Sequence, residues 1–144
     1  MKKCIITAAA LVLAACSTVT NAPKTAQVSL NFAAQINGQP FACGQRYDGV
    51  GTTRSSITPS VSEVKLLRQD GSTVPVQLTQ DGVWQYQDVA LIDFENGTGP
   101  CRNGTVSTNT AVRGQVPAGD YVGVELTVGV PFAQNHQDPT VAPA

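Results

Sequence analysis

Val28, Leu30, Phe32, Ala34 and Ile36 alternate with Gln27, Ser29, Asn31, Ala33 and Gln35. Successive strand side chains point to opposite faces, so this period of two predicts a half-buried β-strand. Asn37-Gly38 predicts a tight hairpin turn, because both residues accept positive φ. Pro40-Phe41-Ala42-Cys43 returns as a short second strand, its proline at a strand start or an edge. Val61 to Leu67 restores strand character, with Val64 and Leu66 on one face. Asp70-Gly71 turns the chain into Val74–Leu78, and Asp81-Gly82 turns it again into a strand at Trp84. Three strand signals joined by two Asp-Gly turns predict an antiparallel meander. Val89-Ala90-Leu91-Ile92 is an apolar run ended by Asp93-Phe94-Glu95, then by the turn formers Asn96-Gly97 and Gly99-Pro100, and it predicts a buried strand. Arg102 to Val116 is polar and predicts no strand. Tyr121 to Val130 alternates most cleanly, with Val122, Val124, Leu126, Val128 and Val130 on one face.

Gly44 to Ser60 has no period and predicts a long loop, either a binding element or a solvated connection pinned at Cys43. From Cys16 onward no helical period of useful length occurs. These elements predict an all-β, antiparallel β-sandwich-like domain with long loops.

The amino terminus follows different rules. Met1-Lys2-Lys3 is basic, and Ile5 to Ala15 is apolar but shorter than the roughly 20 residues that span a bilayer. This is the pattern of an export signal. Its end, Leu13-Ala14-Ala15-Cys16, is similar to the lipobox of bacterial lipoproteins, in which the cysteine thiol takes the lipid. Residues 1–15 are therefore expected to be a lipoprotein signal peptide, Cys16 the lipidation site, and residues 16–26 a small, polar tether. The domain is expected over residues 27–144. Ser17 rather than Asp after Cys16 resembles the pattern sorted to the outer membrane, facing the periplasm. Lys2 and Lys3 belong to the signal, so the remainder carries a small excess of acid and has nothing basic enough for nucleic acid. An exported chain meets an oxidising compartment, so Cys43 and Cys101 are expected to form a disulfide.

Catalytic signatures are missing: there is no Gly-x-Ser-x-Gly elbow, no zinc-protease helix motif and no phosphate-cradling glycine loop. A non-enzymatic role is expected. His136 is the one histidine, and Asp138 shares its face if the segment is extended. A surface histidine without a ligand role is the competing reading. Trp84, the one tryptophan, suits a core or an interface. Asp93 and Glu95 share one face of a strand end; they suit a hard cation or, more simply, capping and solvation.

A resemblance is carried by the order of several stretches: Ser29-Leu30-Asn31-Phe32; Phe41-Ala42-Cys43-Gly44 with Tyr47; Val61 to Leu67; Trp84-Gln85 with Val89 to Glu95; Gly99-Pro100-Cys101-Arg102-Asn103-Gly104; Pro117-Ala118-Gly119-Asp120-Tyr121; and Gly129-Val130-Pro131-Phe132 with Asn135-His136-Gln137-Asp138. In this order they resemble MbnP-like copper-binding proteins, the periplasmic four-cysteine proteins of the metallo-mystery-pair systems. The resemblance implies a secreted β-domain that binds copper and works with a di-haem cytochrome c peroxidase-like partner. In some members the partner oxidises a tryptophan to kynurenine, which joins histidines at the metal. It implies His136 and Asp138 as metal-ligand candidates and Trp84 as a candidate modified residue. This chain departs in having two cysteines beyond Cys16, and in ending where members continue with a Trp-rich segment and further cysteines. It therefore resembles the amino-terminal part of a member. The alternative expectation is a structural or adhesive surface lipoprotein without metal.

Overall fold

The computed structural model describes residues 24–53, 57–138 and 140. The expected signal peptide, lipidation site Cys16 and most of the tether lie outside the described residues. Among these residues twelve strands, a 3-10 turn and one α-helical turn follow in order: β1 (Thr25–Asn31), β2 (Gln35–Ile36), β3 (Gln39–Pro40), β4 (Arg46–Tyr47), β5 (Gly51–Thr52), β6 (Ser60–Leu67), β7 (Thr73–Pro75), β8 (Gln77–Leu78), β9 (Gln85–Tyr86), β10 (Val89–Leu91), the 3-10 turn (Gly99–Cys101), β11 (Ala111–Pro117), β12 (Gly123–Val128) and α1 (Phe132–Asn135). The fold is all-β, and every pairing is antiparallel. Because β1 begins at Thr25, Thr25 and Ala26 belong to the sheet and not to the tether.

Two sheets share one core. One runs β1-β11-β8. The other runs β12-β6-β10-β9, with β7 also paired to β6. The core draws Val61, Val64, Leu66, Ala90 and Ile92 from the larger sheet, and Leu78, Val112 and Val116 from the smaller. Val28, Leu30 and Phe32 pack against it, so the alternation at the start of the chain faces inward as expected. The strand itself ends at Asn31 although the alternation in burial runs on to Ile36, and Gln35–Ile36 pairs separately with Gln39–Pro40 across Asn37 (φ 51°) and Gly38 (φ 75°). These are the two positive φ values that a tight primed turn demands.

The expected meander is corrected. β7 does return along β6, but at Val76 the strand leaves that sheet, and β8 pairs with β11 in the other. The Val76 N–H still reaches the Val64 carbonyl at 2.8 Å, so the chain turns the corner between sheets with its backbone satisfied. The Trp84 strand then pairs forward with β10 rather than back with β8.

A second correction concerns residues 102–116. Their last third is β11, the central strand of the smaller sheet, with Val112 and Val116 buried. The inward position between those two valines is Gly114. A Cβ there would come within 2.5 Å of the Gln77 carbonyl oxygen and 2.6 Å of Val76 Cγ1. The close approach of β8 removes the apolar residue that would have completed the alternation.

The unperiodic stretch from Gly44 holds the small hairpin β4–β5. Tyr47 is buried there; its hydroxyl donates to the Pro40 carbonyl at 2.8 Å and accepts from the Ala42 N–H at 2.7 Å. The Cys43–Cys101 disulfide then ties this region to a 3-10 turn, Gly99–Cys101, with Cα atoms 6.1 Å apart. The expected pairing is the one present.

Candidate functional site

The turn between β8 and β9 is built by one carboxylate. Asp81 Oδ1 accepts from the N–H groups of Val83 (3.0 Å), Trp84 (2.7 Å) and Gln85 (2.9 Å). Partial burial pushes this carboxyl up, but the three N–H donors and the charge of Arg113 outweigh it and hold the pKa below 3.8. Next, the buried Gln85 reaches across to the other sheet. Its amide nitrogen donates to the Thr79 carbonyl (2.6 Å) and the Arg113 carbonyl (2.9 Å), and its oxygen accepts from the Arg113 N–H (2.7 Å). With the backbone fixed on both sides, Trp84 is held half-buried outside the core cluster.

Trp84 and Tyr86 line a cavity of about 540 Å³, together with Val89 and Leu91 of β10. Val130, Gln134 and Gln137 close its other side. The chain after β12 crosses to this position because Gln134 Nε2 donates to Gln87 Oε1 (2.6 Å) and Asp88 Oδ1 (2.7 Å) in the β9–β10 turn. That volume and lining, mostly apolar with a few amides, are those of a small-ligand or side-chain pocket.

His136 caps α1, between the cavity residues Gln134 and Gln137. Its ring stacks on Phe132 with centroids 3.8 Å apart, and Nδ1 lies 3.0 Å from the Phe132 carbonyl oxygen. A carbonyl only accepts, so this contact places the proton on Nδ1 and leaves the Nε2 lone pair free toward solvent. Asp138 faces the following turn instead. Its Oδ1 accepts from the Thr140 N–H (2.9 Å) and hydroxyl (2.7 Å), and those bonds lower its pKa. Among the described residues no three His, Cys, Asp or Glu side chains converge as a metal cluster. Thus Trp84 and the segment bearing His136 meet at one cavity, while Asp138 is engaged in its own turn.

Asp93 and Glu95 follow their simpler reading. Glu95 is buried, its two oxygens accepting from the N–H groups of Gly97 (3.0 Å) and Thr105 (2.8 Å). Asp93 Oδ1 accepts from the Glu95 N–H at 3.0 Å. Both carboxylates thereby hold the 96–105 loop, and a Cβ at Gly104 would fall within the Glu95 carboxylate.

The sequence model of MbnP matches residues 25–144, the whole of the described fold. The chain belongs to the MbnP family. Its structure is similar to that of MbnP from Methylosinus trichosporium, with a TM-score of 0.56 and 29% identity. The likeness covers 75% of this chain and 40% of that one, so the chain spans less than half of the MbnP structure it matches. No curated protein matches.

Proposed function

We propose that this MbnP-family chain is an exported, lipid-anchored copper protein of the cell envelope that acts with a di-haem cytochrome c peroxidase-like partner. No catalytic role is proposed for the chain itself. The observation carrying this reading is that the segment bearing the chain's one histidine lines, through Gln134 and Gln137, the same cavity as its one tryptophan. His136 lies between those two lining residues in the chain, and imidazole suits copper. The half-buried, aromatic position of Trp84 suits a residue oxidised by a docked partner while the sheets stay intact.

The donor set limits what this chain does alone. Both cysteines of the described domain are joined in a disulfide, and Asp138 is turned toward Thr140. The described residues do not make up a complete copper shell, and tight sites need several converging ligands with their own support. The chain is therefore expected to bind copper weakly and through His136. Equilibrium titration of Cu(I) and Cu(II) against a competing chelator tests this. Weak binding lost in His136→Ala supports the reading. Tight binding that survives the substitution overturns the choice of residue, and no binding of either ion favours the surface lipoprotein without metal.

A further inference from the structure

Gly129 has φ 134°, in the left-handed region that glycine enters freely and other residues do not. Its N–H donates to the Ser60 carbonyl at 2.8 Å, and its carbonyl accepts from the Ser62 hydroxyl at 2.9 Å, so it stays fixed to β6. The chain then leaves β12, and Val130, Gln134 and Gln137 line the cavity opposite Trp84 and β10. This segment is lightly held. No residue of α1 is buried, and none from Val130 to Asp138 packs against the core cluster. Its backbone hydrogen bonds are local: Gln134 and Asn135 donate to the Pro131 carbonyl, and His136 donates to that of Phe132. Among the described residues, the side chain that ties the segment to the rest by hydrogen bonds is Gln134, on Gln87 Oε1 (2.6 Å) and Asp88 Oδ1 (2.7 Å). Gln134 is half-buried between exposed neighbours.

The catch that Gln134 engages is supported on its own side. The Gln87 N–H donates to Gln80 Oε1 at 2.6 Å, and the Gln87 carbonyl accepts from Gln80 Nε2 at 2.9 Å. These bonds hold Gln87 at φ 53° whether or not Gln134 is in place. One end of the contact is therefore braced by the sheet, and the other rides on a segment with little burial. Such segments open locally at a small fraction of the cost of global unfolding. We propose that residues 130–138 form a strap over the Trp84 cavity, turning after Gly129 and latched by the Gln134 amide on the β9–β10 turn. Closed, the strap is the wall facing Trp84; open, it bares the indole to reactants in solution. The latch needs no metal; only the purpose of guarding an indole rests on the proposed function.

The full chain has one tryptophan, so alkylation by 2-hydroxy-5-nitrobenzyl bromide, read by mass on the Trp84 peptide, reports strap opening without a label. In Gln134→Ala the rate should rise about fivefold or more, as the loss of two hydrogen bonds, one of them to a carboxylate, predicts. Gln134→Glu sets a second carboxylate against Asp88 and should also raise the rate. Asn135→Ala, an exposed neighbour outside the latch, should leave it unchanged. The denaturation midpoint of every variant should match that of the unaltered chain, since the strap adds nothing to the core. An unchanged rate in either Gln134 variant would overturn the latch. So would a rise that Asn135→Ala reproduces, or one accompanied by a lowered midpoint, which is general loosening of the fold.

Discussion

Gln85 joins the two sheets more directly than any apolar contact. Its three part-buried hydrogen bonds all run to the backbone of Thr79 and Arg113. Gln85→Ala would leave the Thr79 carbonyl and the Arg113 N–H unpaired, while the Arg113 carbonyl keeps the Thr79 N–H at 3.0 Å, a cost of about 3 kcal/mol. Chemical denaturation checks this; a loss under about 1 kcal/mol would mean that water enters and replaces the amide. Nothing local in Trp84-Gln85 shows this role, because the partner strand lies 28 positions away. Asp81 is the opposite case, legible from Asp-Gly as a turn and acting within four residues. Its pKa is lowered in the fold, so its contribution is complete above the ordinary 3.8 and is lost as pH falls through the lower folded value. Amide signals of Val83, Trp84 and Gln85 should therefore hold steady from neutral pH down and move together only below 3.8. A common transition above that value would contradict the turn geometry.

Individual elements were legible where apolar periodicity and burial coincide. β1, β6 and β10 bury the residues that their patterns indicate. β11 was hidden because packing against β8 requires glycine at an inward position, which erases the signal it should have left. β12 misleads in the other direction: its alternation is perfect and its valines lie in solvent, since burial depends on the width of the facing sheet, which no local pattern records. In β6 a bulge at Glu63 (φ 51°) shifts the register against β12, so Val61 and Ser62 are both buried in sequence. One residue in the left-handed region is enough to flip which face a strand presents. The disulfide fastens two elements that hardly touch the core, the loop after β3 and the 3-10 turn after β10. Its sequence separation of 58 corresponds to about 4 kcal/mol in the chain-entropy model. Cys43→Ala with Cys101→Ala should lower stability by roughly that amount while leaving the β1–β11 pairing intact. An unfolded double variant would show that the loops carry more of the fold than their burial suggests.

For the molecule as a whole, fold class was readable from strand periodicity and turn residues and family from the order of short motifs, and the match across residues 25–144 agrees with the family. The cavity was not readable. It exists because α1 is drawn over the β9–β10 turn by Gln134, and Phe132 to Asn135 is too short to leave a helical period. That single turn brings the segment bearing His136, through Gln134 and Gln137, to the cavity that Trp84 lines, and the proposed function rests on this juxtaposition. The chain has one tryptophan and one histidine, so the two can be read against each other without labels. The most direct test is Trp84 fluorescence during titration with Cu(II), whose paramagnetism quenches a nearby indole. The predicted result is saturable quenching that disappears in His136→Ala while the emission of the metal-free variant is unchanged. Copper binding through His136 with no loss of Trp84 emission, or quenching undiminished in His136→Ala, would contradict the proposed site shared by the two residues.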